Sequence, residues 1–332
     1  MKRMYPQRLL PSDEIRVLAP ADSLSCISKP IQRIAEQRLK NLGFRVTYGQ
    51  NSRKKNQHNS SSIAERISDL HDAFKNPHVK MILTAKGGYN SNQLLPFLNY
   101  ELIKKNPKIL CGFSDITALT NAIYTKTGLV TYAGPTFMNF GMQKGLEYTV
   151  DTFMDCLTNT EPLTIMPAKK WSDDQWKKNQ ERRVFMRNTG MFVLQFGQTT
   201  GTSIGGNLCT FNLLQGTSYL PPLDNTVLFI EDDDLVQDES FAVEFERNLV
   251  SLFQQPKSTS VRGIVFGRFQ KKSCMTEKKL MAIVKELPLK KSIPIIGGAD
   301  FGHTTPQLTF PIGGQVKIIA NTSKPTIILQ KY

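Results

Sequence analysis

The chain is poor in the residues that build covalent or metal frameworks. It has five cysteines in 332 residues, at positions 26, 111, 156, 209 and 274. No CxxC pair occurs, which excludes a zinc ribbon, and an odd, scattered set argues against a disulfide framework. Cys111 and Cys209 stand in apolar runs and are expected to be small buried hydrophobes. No apolar run approaches the roughly 18 residues of a membrane-spanning helix. The opening Met1-Lys2-Arg3-Met4-Tyr5-Pro6 leads into polar sequence rather than the apolar core of a secretory leader, so a cytoplasmic protein with reduced thiols and no membrane partner is expected. Neither GxGxxG nor GxxxxGK[ST] occurs at Gly87-Gly88 or Gly205-Gly206, so the usual dinucleotide and P-loop fingerprints are missing. Acidic residues are in deficit: 28 Asp+Glu against 42 Lys+Arg leave a net charge of +14. The basic residues form dispersed pairs, such as Lys104-Lys105, Lys271-Lys272 and Lys290-Lys291, not one stripe with interleaved aromatics. A nucleic-acid partner is therefore not expected. A solvated basic surface, or a field that steers an anionic small molecule, accounts for the charge.

What is present is a globular composition. Hydrophobic residues make up 40% and charged residues 21%, which excludes wholesale disorder, and the length suggests about two domains. The first half alternates strand and helix signals. Short β-rich runs at 14–19, 44–48, 79–85 and 108–111 are separated by helical patterns at 30–42 and 62–74, with another at 116–127. Pro30 opens the first helix and Gly43 closes it. This order implies an α/β fold with a mainly parallel sheet. Residues from 159 to about 201 are polar, carry both tryptophans (Trp171 and Trp176) and read as a domain connection with an ordered loop. Strands resume at 226–230, 261–266 and 293–296, with helices at 241–253 and 277–287 and a β-rich tail. The expected division is an α/β domain over 1–165, a connecting region over 166–200 and a second α/β domain over 201–332.

Four strand-end loops carry chemistry-bearing residues. In Gly112-Phe113-Ser114-Asp115-Ile116 an apolar strand runs straight into a helix. Such a turn projects a side chain above the sheet edge, like a nucleophile elbow without the second glycine of GxSxG; Ser114 could equally cap the helix. His303 follows glycines in a loop bounded by Pro306, the best placed of four histidines to act as a base. Glu231-Asp232-Asp233-Asp234 follows a buried strand and reads as a hard-cation site, a carboxylate that orients a histidine, or an acidic helix start. The Gly87-Gly88 pair can present backbone N–H groups to an oxyanion, or simply turn the chain. Together these loops hold the inventory of a serine hydrolase.

The motifs resemble one family. Lys86-Gly87-Gly88-Tyr89-Asn90-Ser91-Asn92, Gly112 to Leu119, Tyr132-Ala133-Gly134-Pro135, Gly205-Gly206-Asn207-Leu208, Leu228 to Asp232 and Gly297 to His303 run in the order of the LD-carboxypeptidase family of serine peptidases. Tyr89 to Asn92 and the tryptophan-bearing loop are closest to its microcin C immunity branch. The resemblance implies an N-terminal Rossmann-like domain, a smaller C-terminal α/β domain and an active site between them. It implies a Ser114–Glu231–His303 triad, an oxyanion hole from the N–H groups of Gly88 and Asp115, and substrate contacts from Asn207 and from Trp176 or Trp171. It further implies a homodimer that hydrolyses an aminoacyl–nucleotide amide without a metal or other cofactor, or trims D-alanine from murein tetrapeptides. If Asp232, Asp233 and Asp234 line the pocket, an acidic aminoacyl group is disfavoured.

Overall fold

The alternation of short apolar strands with amphipathic helices builds two sheets. The computed structural model describes residues 2–289, 292–321 and 324–332, so the pair Lys290-Lys291 lies outside it. The first sheet is laid down by β1 (Glu14–Leu18), β2 (Arg45–Tyr48), β3 (Val79–Thr84), β4 (Ile109–Gly112) and β5 (Thr131–Ala133). Between them run α1 (Lys29–Asn41), α2 (Ile63–Lys75), α3 (Tyr100–Lys105) and α4 (Thr117–Thr127). Local chemistry marks their ends. Pro30 sits in the first turn of α1, and Ser62 with Glu65 forms a reciprocal capping box on α2.

After α5 (Glu147–Thr158) come four short strands, β6 (Leu163–Ile165), β7 (Lys170–Trp171), β8 (Met186–Arg187) and β9 (Phe192–Gln195). The long β10 (Gly197–Asn207) follows, then α6 (Leu208–Asn212), β11 (Thr226–Glu231), α7 (Asp238–Phe253), β12 (Gly263–Gly267), α8 (Glu277–Glu286) and β13 (Ile295–Ala299). The chain ends with β14 (Phe310–Ile312), β15 (Gln315–Ala320) and β16 (Thr326–Lys331). The first sheet has the order β14-β5-β4-β3-β1-β2, parallel except for the antiparallel β14. The second has the order β6-β16-β15-β10-β11-β12-β13-β9, with a parallel core from β10 to β13 and antiparallel flanks.

Sheet membership crosses the expected domain limits. β6, from the first part of the chain, pairs with β16, and β14, from the last part, pairs with β5. The stretch read as connection contains β7, β8 and β9, and its end begins β10, one of the two central strands of the second sheet. β10 carries Gly, Thr and Ser in place of an alternating apolar pattern, so periodicity did not mark it.

Three phenylalanines join the sheets. Phe229 of β11 stacks on Phe310 of β14 at 4.4 Å, and Phe301 meets Phe310 edge-on at 5.1 Å. All three are buried. Removing the Phe229 ring leaves a cavity that neither sheet can close alone. The expected cost of Phe229→Ala is about 3–5 kcal/mol, measured by urea unfolding. A loss below about 1 kcal/mol would show that the sheets are held together elsewhere.

Candidate active site

The carboxyl ends of both sheets face one cleft, where α/β folds bind ligands. β4 ends at Gly112, and Ser114 then turns the chain into α4 with φ +63°. A serine in the left-handed region is strained and persists only where its surroundings impose it. The Ser114 hydroxyl does not cap the helix; it lies 3.0 Å from Nε2 of His303. Gly87 lies against it: a Cβ there would come within 3.0 Å of Ser114 Oγ, so a side chain would crowd the hydroxyl. Asp115 ties the glycine loop to this turn. Its carboxylate accepts the N–H groups of Asn90 (3.0 Å) and Ser91 (2.9 Å), and the Ser91 hydroxyl donates to its carbonyl (2.6 Å). Burial raises the Asp115 pKa against these bonds.

Glu231 is the last residue of β11 and is 2% exposed. Its Oε2 lies 2.8 Å from Nδ1 of His303. Gly302, at φ +110°, carries the backbone past this carboxylate; a Cβ there would sit 2.9 Å from Oε2. With Nδ1–H donated to Glu231, Nε2 is free to accept the Ser114 proton. Burial opposes the imidazolium, but the carboxylates of Glu231, Asp233 and Asp232 outweigh it and push the His303 pKa up to about 9. Burial, then Glu231 and Asp233, also push Asp232 up to about 7. The three groups form a relay able to activate a hydroxyl.

The cleft holds about 710 Å³. Trp176, Lys177 and Lys178 from the β7–β8 loop line it together with Lys86, which is ion-paired to Asp22. Lys177 has its pKa lowered by burial and then by the charge of Lys86. Asp233, Asp234 and Leu235 also line the cleft, as do Leu213 and Tyr89. The Tyr89 pKa is raised by burial and then by Asp233. The cleft thus carries basic, acidic, aromatic and apolar groups, with Asp22, Asp173 and Asp174 also in its lining beside Ser114 and His303.

Of the other expected contacts, Gly88 and Asp115 line the cleft, and so does Trp176, although it is only 7% exposed. Trp171 is not among the lining residues; it lies beneath Arg268 (4.9 Å) and Lys271 (6.0 Å). Asn207 is 1% exposed and works inside the protein. It caps α6 by accepting Thr210 N–H (3.0 Å), and its amide donates to Asp232 (3.1 Å) and Asp233 (3.3 Å). Cys111 is buried as expected, but Cys209 is exposed beside the cleft, because the first turn of α6 points it away from the core. Cys209, Asp232 and Asp233 offer metal-ligand atoms within 4.8 Å of one another, yet each already hydrogen-bonds to Asn207. Sequence reasoning missed Asp22, three residues after the end of its strand pattern at Ala19, although the strand-end rule that found Ser114 applies to it equally. It also missed Arg268 and Asp300, 3.0 Å apart, which anchor the tryptophan loop through Ala168 and Asn188.

The geometry agrees with what the chain is similar to. The description "LD-carboxypeptidase N-terminal domain" fits residues 15–134, and "LD-carboxypeptidase C-terminal domain" fits residues 200–318. A Bacillus subtilis relative named "Putative carboxypeptidase YocD" is 48% identical over 99% of this chain and 100% of its own. The crystal structure of an MccF-like protein from Bacillus anthracis is 49% identical, with a TM-score of 0.97 over 99% of this chain and 100% of that one. The structure of MccF in complex with glutamyl sulfamoyl guanosine is 29% identical, with a TM-score of 0.86 over 98% of both chains. The chain belongs to the LD-carboxypeptidase family of serine-type hydrolases.

The acidic neighbours of His303 generate a test. Asp233→Asn removes a negative charge that stabilises the imidazolium, so the His303 pKa must fall from its raised value toward the ordinary value near 6.5. NMR titration of the imidazole reads this directly. An unchanged midpoint would mean that Asp233 does not act on His303.

Proposed function

We propose that this member of the LD-carboxypeptidase family hydrolyses the amide joining an aminoacyl group to a nucleotide. The observation that carries the reading is the continuous hydrogen-bond chain from Glu231 through His303 to Ser114, opening on a cleft that also presents Trp176. Ser114 Oγ attacks the carbonyl carbon as its proton passes to His303 Nε2. The N–H groups of Gly88 and Asp115 receive the oxyanion, each worth about 3 kcal/mol in such a hole. His303 then returns the proton to the leaving nitrogen, and the C–N bond breaks to give an acyl-Ser114. A water, deprotonated by the same imidazole, attacks the ester and releases the carboxylic acid. Glu231 holds the ring's tautomer and stabilises the imidazolium throughout.

Two sets of lining residues suit the two halves of such a substrate. Trp176 supplies a stacking face for the base, and Lys177 and Lys178 face the anionic linkage. Asp233 and Asp234 receive the acyl side chain and favour a neutral or cationic one over an acidic one. Asn207 serves this pocket through Asp232 and Asp233 rather than by touching the substrate.

The test is mass-spectrometric turnover of a panel of aminoacyl sulfamoyl adenosines beside a murein LD-tetrapeptide. Wild type should release free amino acid from the adenosine compounds, with lysyl above glutamyl by about tenfold in kcat/KM. Ser114→Ala should lose at least about 1,000-fold in kcat. Trp176→Ala should raise KM by about tenfold. Release of D-alanine from the tetrapeptide, with no turnover of the nucleosides, would reassign the protein to wall-peptide trimming.

A further inference from the structure

A second, small cavity lies behind the His303–Glu231 pair, between the two sheets. It holds about 20 Å³, room for one water, and Glu231, Gln307 and Thr117 are among its walls. Gln307 is 4% exposed. Its side-chain amide donates to the carbonyl of Gly302 (2.7 Å), and its backbone N–H donates to Thr149 Oγ1 (2.8 Å). The bond to Gly302 settles the orientation of the amide, because the flipped form would set two carbonyl oxygens against each other. Gln307 Oε1 is therefore a buried acceptor without a donor. Glu231 lines the same cavity. Its Oε2 takes the His303 proton, and among the described residues no protein donor reaches Oε1. A buried carboxylate keeps its charge only when its remaining lone pairs are also served.

A buried acceptor without a donor and a carboxylate oxygen without a protein donor, on a cavity the size of one water, match a molecule with two O–H donors. Thr117 completes the set: its hydroxyl accepts Asn207 N–H (3.1 Å) and keeps a proton to donate to a water lone pair. We propose that one water is bound here, bridging Gln307 Oε1 and Glu231 Oε1, and that Gln307 is thereby a positioning residue for the Glu231–His303 pair. The same side chain holds the carbonyl of Gly302, the residue before His303, so it fixes both partners of that hydrogen bond from behind. The site stands on geometry alone; its kinetic role rests on the hydrolytic reading above.

The experiment uses the full chain and two variants. Gln307→Met removes the amide at similar volume. Ala133→Val, from another wall of the cavity, fills the space without touching Gln307. A high-resolution crystal structure of wild type should show one water within hydrogen-bond distance of both oxygens, and Ala133→Val should show none. A Glu231 carboxylate stripped of this bond attracts the imidazolium more strongly. The His303 pKa, read by NMR titration, should therefore rise by about 0.5 in both variants. With the substrate established by the turnover panel, kcat should fall about tenfold while KM stays within about twofold. A Gln307 that only holds the loop together would lower Tm and leave the titration in place. The proposal is overturned if the wild-type cavity shows no ordered water, or if both variants titrate like wild type. Crystallography and NMR need no turnover, so failure of the hydrolytic reading shows separately, as a bound water and a shifted titration in a protein that cleaves none of the panel.

Discussion

The hydrogen bond between Glu231 and His303 is 2.8 Å long and largely shut off from solvent, and the other features of the cleft are arranged around it. A carboxylate at the end of a buried strand is expensive unless a partner shares its charge. Here the partner comes from the loop after β13, two strands away in the same sheet. The imidazole in turn reaches across to Ser114 at the end of β4 in the other sheet. One short contact inside the second sheet thus determines where the first sheet's hydroxyl meets a base. Phe229, Phe301 and Phe310 make that distance reproducible, because close-packed rings between sheets resist sliding.

Charge in the cleft is managed by pairing some groups and leaving others open. Lys86 is paired with Asp22, and Asp174 with Arg183. Lys177 and Asp233, both in the wall, have no ion-pair partner among the described residues. The acidic run also sits close enough to His303 to raise its pKa. Under the proposed function, Asp233 therefore couples recognition of the acyl group to the proton affinity of His303. A cationic group bound against Asp233 offsets its charge and lowers the pKa of His303, which puts more of the imidazole in the form that can accept a proton.

The site was more legible in the sequence than the fold that carries it. Ser114 follows β4 by two residues, Glu231 ends β11 and His303 lies in the loop after β13, and strand ends are where such folds place chemistry. Short, nearly continuous apolar runs, such as β3 and β11, are visible because burial on both faces demands apolar residues throughout. β10 was invisible because backbone pairing with β11 and β15 holds it, and Gly205 and Gly206 lie too close to β11 and α4 for side chains. Asn207 and Cys209 were misplaced for a related reason. Which way the first turn of α6 faces depends on the cap that Asn207 makes, and a cap is a property of the folded loop. Trp171 and Trp176 could not be told apart by residue type, since Arg268, far away in sequence, decides which of them is covered.

The exchange of β6 and β14 between the two sheets bears on how the protein comes into being. The first sheet ends in β14, whose residues lie 177 positions beyond the last residue of β5, since 310 − 133 = 177. A ribosome can thus present the whole nucleophile-bearing region while its sheet still has an open edge and its phenylalanine contacts are unmade. Pairing at such separation is slow, and an unpaired edge invites association in the meantime. The same late closure, however, withholds His303 from Ser114 until the chain has grown 189 residues past the serine. Ser114 meets the His303 imidazole only once both sheets are in place, so a chain that stops short of the loop after β13 lacks that hydrogen bond.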